Sequence, residues 1–167
     1  MSSLIMHKLL ALVMILGFSY VVFGSRDTKA LDFCTDAMRI MNDQSQRRHS
    51  QVIKHGTDYV LKHGQDKRIL MEMATAYYAL GDYLNAVGEL KKSLLVKRIF
   101  CKDLAGLEID LLDQSIHMRL SILFDELGDF KESEKERSAA ASIYSMPKEV
   151  FDQFFELDQS YLKRQKN

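Results

Sequence analysis

Three histidines, His49, His55 and His63, stand close together in the sequence, with Asp58 between the last two. Imidazole and carboxylate groups are the donors that zinc and related ions take. A metal site near His55 and Asp58 is therefore the first chemistry to weigh. The spacing matches neither the His-Glu-x-x-His pattern nor paired cysteines, so no metal ligand is assigned. Asp125, Glu126 and Asp129 gather carboxylates near the end of a helical pattern. They are read as a solvated face and a helix cap rather than an acid/base pair. No nucleophile elbow, phosphate loop or dinucleotide fingerprint occurs. The expectation is a protein that is not an enzyme, with no catalytic residue, cofactor or small-molecule substrate. Cys34 and Cys101 could pair in an oxidising compartment, but two buried thiols acting as small hydrophobes are the favoured reading.

The elements around these residues are more informative. The stretches 74–86 (ATAYYALGDYLNA) and 121–133 (SILFDELGDFKES) can be laid over each other. Each places an aromatic, Tyr77 or Phe124, before a Leu-Gly-Asp-aromatic turn, Leu80 to Tyr83 or Leu127 to Phe130. Before the first turn, Leu70, Met73, Ala74 and Tyr77 recur at helical steps; after it, Ala86, Leu90, Ser93 and Leu94 do so. His117, Leu120, Ser121 and Phe124, then Phe130, Ser133, Arg137 and Ala140, repeat the arrangement. Gly81 can end a helix in the left-handed conformation, and Asp82 can cap the next. Each copy is read as two antiparallel helices joined by a short turn.

These residues resemble the tetratricopeptide repeat. Leu70, Met73, Ala74, Tyr77, Gly81, Tyr83, Ala86 and Leu90 fill that family's pattern. The second copy has His117 in the large apolar slot and Arg137 where an aromatic is usual. A third, fainter unit is placed upstream, with helices at about 31–46 and within 50–66. The interval from Gly81 to Gly128 exceeds the family's period of about 34 residues. A long helix at about 106–126, preceded by an extra turn or loop near Phe100 to Asp103, accounts for the surplus. The expected fold is all-α: two to three helix–turn–helix units in an α-solenoid, preceded by one N-terminal hydrophobic helix. From Val150, the residues Phe151, Phe154, Phe155, Leu157, Tyr161 and Leu162 make a broad aromatic face. It is read as a capping helix, 147–164, over the last repeat's core, with partner binding by part of that face as the alternative.

What the resemblance implies for binding is a concave surface lined by the first helix of each unit. Carried over residue by residue, its positions are Arg68, Met71, Thr75 and Tyr78 in one unit. In the next they are Ser115, Met118, Ile122 and Asp125. Such a surface would hold a peptide or helix of a protein partner.

Residues 9–23 (LLALVMILGFSYVVF) are apolar apart from Ser19, and counting from Leu4 gives a run long enough to span a bilayer. Residues 1–30 are read as a signal anchor or transmembrane segment, with membrane contact through 4–23, and 31–167 as the repeat domain. Cleavage after Gly24 or Ala30 would instead release a soluble exported chaperone or adaptor. The repeat domain is placed on the non-cytoplasmic, periplasmic side. Lys plus Arg and Asp plus Glu both number 23, so no basic field points to nucleic acid. The reading is a single-pass, membrane-anchored interaction scaffold or assembly factor. Its expected setting is a multiprotein envelope complex such as a secretion or pilus system.

Overall fold

The computed structural model describes residues 32–97, 99, 109–143 and 146–166. These form seven helices and, among the described residues, no strand. They are α1 (32–45), α2 (His49–His63), α3 (Lys67–Ala79), α4 (Tyr83–Leu95), α5 (Ile109–Glu126), α6 (Phe130–Ile143) and α7 (Lys148–Lys166). The architecture is an all-α, repeat-like stack of three helix–turn–helix pairs, α1–α2, α3–α4 and α5–α6. The expected N-terminal hydrophobic helix and the extra turn near Phe100 to Asp103 lie outside the described residues.

The turns form for local reasons. Gly81 and Gly128 have φ of +80° and +77°, where a side chain would clash with its own backbone. Asp82 N–H donates to Tyr77 O at 2.9 Å and Asp129 N–H to Phe124 O at 2.8 Å, closing the same six-residue C-terminal motif twice. Asp82 Oδ1 then accepts from Asn85 N–H, and Asp129 Oδ1 from Glu132 N–H, each at 3.2 Å. One Gly-Asp dipeptide thus ends a helix and caps the next. Asp66 opens α3 in the same way, accepting from Arg68 and Ile69 N–H.

Packing centres on α3, which is buried on two sides. Ile69, Met73 and Ala76 join Ile40 of α1 and Val52 and Tyr59 of α2 in one core. Met71, Ala74 and Tyr78 join Ala86 and Leu90 of α4, the apolar residues of α5, and Ala140 of α6 in the other. Close approach of α2 to α3 depends on Gly56, where an added Cβ would lie 2.5 Å from Met73 Cγ. Gly56→Val is expected to lower stability by about 2 kcal/mol, because overpacking costs more than the gain in helix propensity returns. A chemical-denaturation midpoint equal to that of the unaltered chain would contradict this.

Two expected stripe residues behave differently. Phe130 is 71% exposed, whereas Tyr83, its counterpart, packs on Tyr78 with ring centroids 5.6 Å apart. His117, in the apolar slot, is half-buried and pairs with Glu136 Oε2 at 2.6 Å, tying α5 to α6. Cys34 is disulfide-bonded, which overturns its reading as a free thiol. The chain's other cysteine, Cys101, lies outside the described residues. Among the described residues no helix is long and apolar enough to cross a membrane, and residues 4–23 are not among them.

Candidate functional site: a face covered by the last helix

The first helices of the pairs, α3 and α5, share a face, and α7 lies across it. A 19-residue helix is about 28 Å long, enough to cross the stack. It begins against α6, where the Arg137 guanidinium sits 4.3 Å from the centre of the Phe155 ring and also reaches Asp152. This contact gives Arg137 its place in the aromatic slot. Midway, Asp158 accepts from Ser115 Oγ at 3.2 Å and from Arg119 Nε at 3.2 and 3.3 Å. At its end, Lys166 Nζ stands 4.4 Å from the Tyr78 ring centre and 3.2 Å from Glu126 Oε2. Gln165 meets Gln44 of α1 and His49 of α2. Phe151, Phe155 and Leu162 are the buried apolar anchors, each worth roughly 1.5–3 kcal/mol of transfer from water. The helix therefore does more than cap the last pair.

Of the positions assigned to the concave surface, Met71, Thr75, Tyr78, Met118 and Ile122 are buried. Arg68 and Ser115 are half-buried, and Asp125 is exposed. Thr75 accepts from Arg119 Nη1 at 2.9 Å, and Tyr78 donates to Glu126 at 3.2 Å. α7 supplies part of this cover. A shallow hollow of about 260 Å³ remains between Ser115 and Met118 and the outer edge of α7 at Phe154 and Leu157.

The structure adds residues that the sequence reading had not placed here. Arg119 is buried and links α3, α5 and α7, with its guanidinium 5.3 Å from the Tyr161 ring centre. Glu126, read as part of a solvated face, bonds to Tyr78, Tyr83 and Lys166. Glu72 is half-buried, and no hydrogen bond or ion pair joins it to another described residue.

The charges on this face are unevenly compensated. Burial pushes the Glu72 carboxyl above its ordinary value of 4.5, a push that Arg119 and Arg68 only partly offset. Burial also opposes ionisation of Glu126, but bonds from Lys166, Tyr78 and Tyr83 outweigh it and hold that carboxyl below 4.5. The same contacts hold the Lys166 ammonium above the usual lysine range against the opposing effect of burial.

Opposite pH dependences follow. Glu126 contributes stability above pH 4.5 that is lost as pH falls through its depressed folded value. Glu72, with its raised folded value, destabilises the fold at neutral pH and stops doing so as it takes up a proton. Glu72→Gln is thus expected to stabilise the chain at pH 7, on the order of 1 kcal/mol. The gain should shrink as pH falls below 4.5, as the unfolded form of Glu72 also takes up its proton, and be nearly gone at pH 3.5. Urea melts at pH 7 and pH 3.5 check this, and a pH-independent effect would refute the assignment.

The three histidines are not brought together. His49 faces Gln165 O at 3.0 Å, His55 pairs with Asp43 at 2.6 Å, and His63 with Asp36 at 2.8 Å. A polar hollow of about 180 Å³ lies between Asp36, Arg39, His55, Asp58, Tyr59 and Lys62. Asp36 is already engaged by His63 and Lys62, whose bonds hold its carboxyl below the ordinary range. Among the described residues, no group of three or more His, Cys, Asp or Glu side chains is placed to hold a metal ion. Comparison with protein-family models, curated proteins and solved structures finds no match to this chain.

Proposed function

We propose that the chain is a tetratricopeptide-like interaction scaffold or assembly factor, anchored through residues 4–23, whose concave face holds a helix of a protein partner. The observation that carries this reading is the seating of α7. It occupies that face with three apolar anchors flanked by ion pairs to Arg119, Arg137 and Glu126. That is how a groove holds an amphipathic helix. The repeated turns at Gly81 and Gly128 and the helix pairs support the family resemblance.

The disulfide at Cys34 supports a non-cytoplasmic setting, since such bonds persist in oxidising compartments. An envelope complex is the corresponding expectation. A soluble exported adaptor, released by cleavage of residues 1–30, is the second reading, and it too is favoured by the disulfide. Intact mass of the protein recovered from membranes separates the two: a retained N-terminus supports the anchor, a shortened soluble form the adaptor.

The groove is tested by photo-crosslinking in native membranes, with a reactive residue at Ser115 and a control at exposed Lys131. One partner captured from Ser115 alone is the expected result. Equal capture at both positions, or none at either, would remove the scaffold assignment.

A further inference from the structure

The last helix fits the concave face incompletely, and its shortcomings describe a better occupant. Its anchors, Phe151, Phe155 and Leu162, are buried, but Phe154 is 50% and Leu157 64% exposed along its outer edge. At its C-terminal end, Gln44 Oε1 and His49 Nδ1 are buried without a hydrogen-bond partner, although Gln165 contacts both side chains. In the middle, Asp158 pairs with Arg119, whereas half-buried Glu72 on α3 has no ion-pair partner among the described residues. Tyr161, one turn further along α7, lies 5.3 Å by its ring centre from the same Arg119 guanidinium, which reaches α3 at Thr75, and offers Glu72 no cation. The connection from α6 to α7 runs through half-buried Met146 and exposed Pro147, whose ring can start a helix but cannot extend one backward from it.

Resting on the reading of this face as a partner groove, we infer that α7 is a displaceable placeholder. The ligand is an amphipathic helix of a partner protein. It carries large apolar residues at the places of Phe151, Phe155 and Leu162, an acid against Arg119, and a lysine or arginine against Glu72 at the place of Tyr161. The acid meets the cation that spans α3 and α5, and the base meets the carboxylate that α7 leaves uncompensated. A tethered helix competes at an effective concentration of about a millimolar, so a partner must improve on it to enter.

The test uses the full chain and two labelled synthetic peptides: residues 147–166 as they stand, and the same peptide with Tyr161→Lys. In the chain, Phe151→Ser with Phe155→Ser removes the anchors of the resident helix. This variant is expected to keep the helical signal of the remaining pairs and to bind the first peptide at least about tenfold more tightly than the unaltered chain does. The Tyr161→Lys peptide should bind more tightly still, and Glu72→Gln in the chain should abolish that advantage. A variant that unfolds would make α7 part of the core and overturn the inference. So would a folded variant that binds neither peptide. A Tyr161→Lys peptide that binds less well than the first would overturn the proposed base. Peptide binding with no partner crosslinked from Ser115 in membranes would leave the groove assignment standing and remove the scaffold reading alone.

Discussion

Replacing Arg119 with methionine is expected to remove about 3–5 kcal/mol of stability, the usual result of taking one member from a buried ion pair. Arg119 donates to both Asp158 oxygens and to Thr75, so its loss strands a carboxylate that is itself largely buried. The Ser115 hydroxyl, the remaining donor to Asp158, cannot replace a positive charge. Glu72 loses a nearby cation at the same time. The chain has one escape: α7 can leave the face and return Asp158 to water. The loss is therefore limited by the free energy with which α7 docks, and the signature is local. Amides of α7 should exchange with solvent faster than those of α3 and α5. Adding Asp158→Ala to Arg119→Met should restore much of the loss, because an apolar pair leaves no stranded charge. Hydrogen exchange and urea melts on the single and double variants decide the matter. Additive losses would mean that Arg119 acts by filling space rather than through Asp158.

Much of the helical framework is written locally. Gly81-Asp82 and Gly128-Asp129 carry their own conformational and capping requirements, so both turns could be read from the residues alone. The stripes of Leu70, Met73 and Ala74 and of Ala86, Leu90 and Ser93 were legible for the same reason: period 3.6 names the buried face. The destination of α7 was not legible. Its aromatic face demands burial, but periodicity cannot say which surface supplies it. Lys166 and Glu126 lie 40 residues apart, and neither looks unusual on its own helix. Glu126 therefore reads as solvated until the fold brings the ammonium to it. Arg137 carried a fainter signal, since a cation in an aromatic slot suggests a ring elsewhere to receive it. The positions Met71, Thr75, Tyr78, Met118 and Ile122 were found by likeness to a repeat pattern. That likeness assigns them to one face and says nothing of a helix from the same chain lying over it.

The ion pair between Lys67 and Asp113 should show an asymmetry that sequence reading would reverse. Lys67 opens α3 and is 1% exposed, while the Asp113 side chain on α5 is 29% exposed. Charge at the start of a helix would ordinarily be treated as surface. Here the stem runs inside, and its backbone carbonyl accepts from Ser93 Oγ of α4 at 2.7 Å. Asp113→Ala leaves an ammonium buried with no counter-charge, so about 3–5 kcal/mol is the expected loss. Lys67→Met removes the buried charge and keeps the volume, while Asp113 can turn to the water it already touches. That variant should cost under about 1.5 kcal/mol and could stabilise the chain. Denaturation midpoints of the two variants compare them directly, and a larger loss for Lys67→Met than for Asp113→Ala would sink the argument. The outcome bears on the seating of α7 as well. This pair joins the base of α3 to α5, and Ser93 ties the same point to α4. Loosening it should let α3 and α5 shift against each other beneath α7. Asp113→Ala is accordingly expected to speed amide exchange in α7, the element that spans them, whereas Lys67→Met leaves it slow.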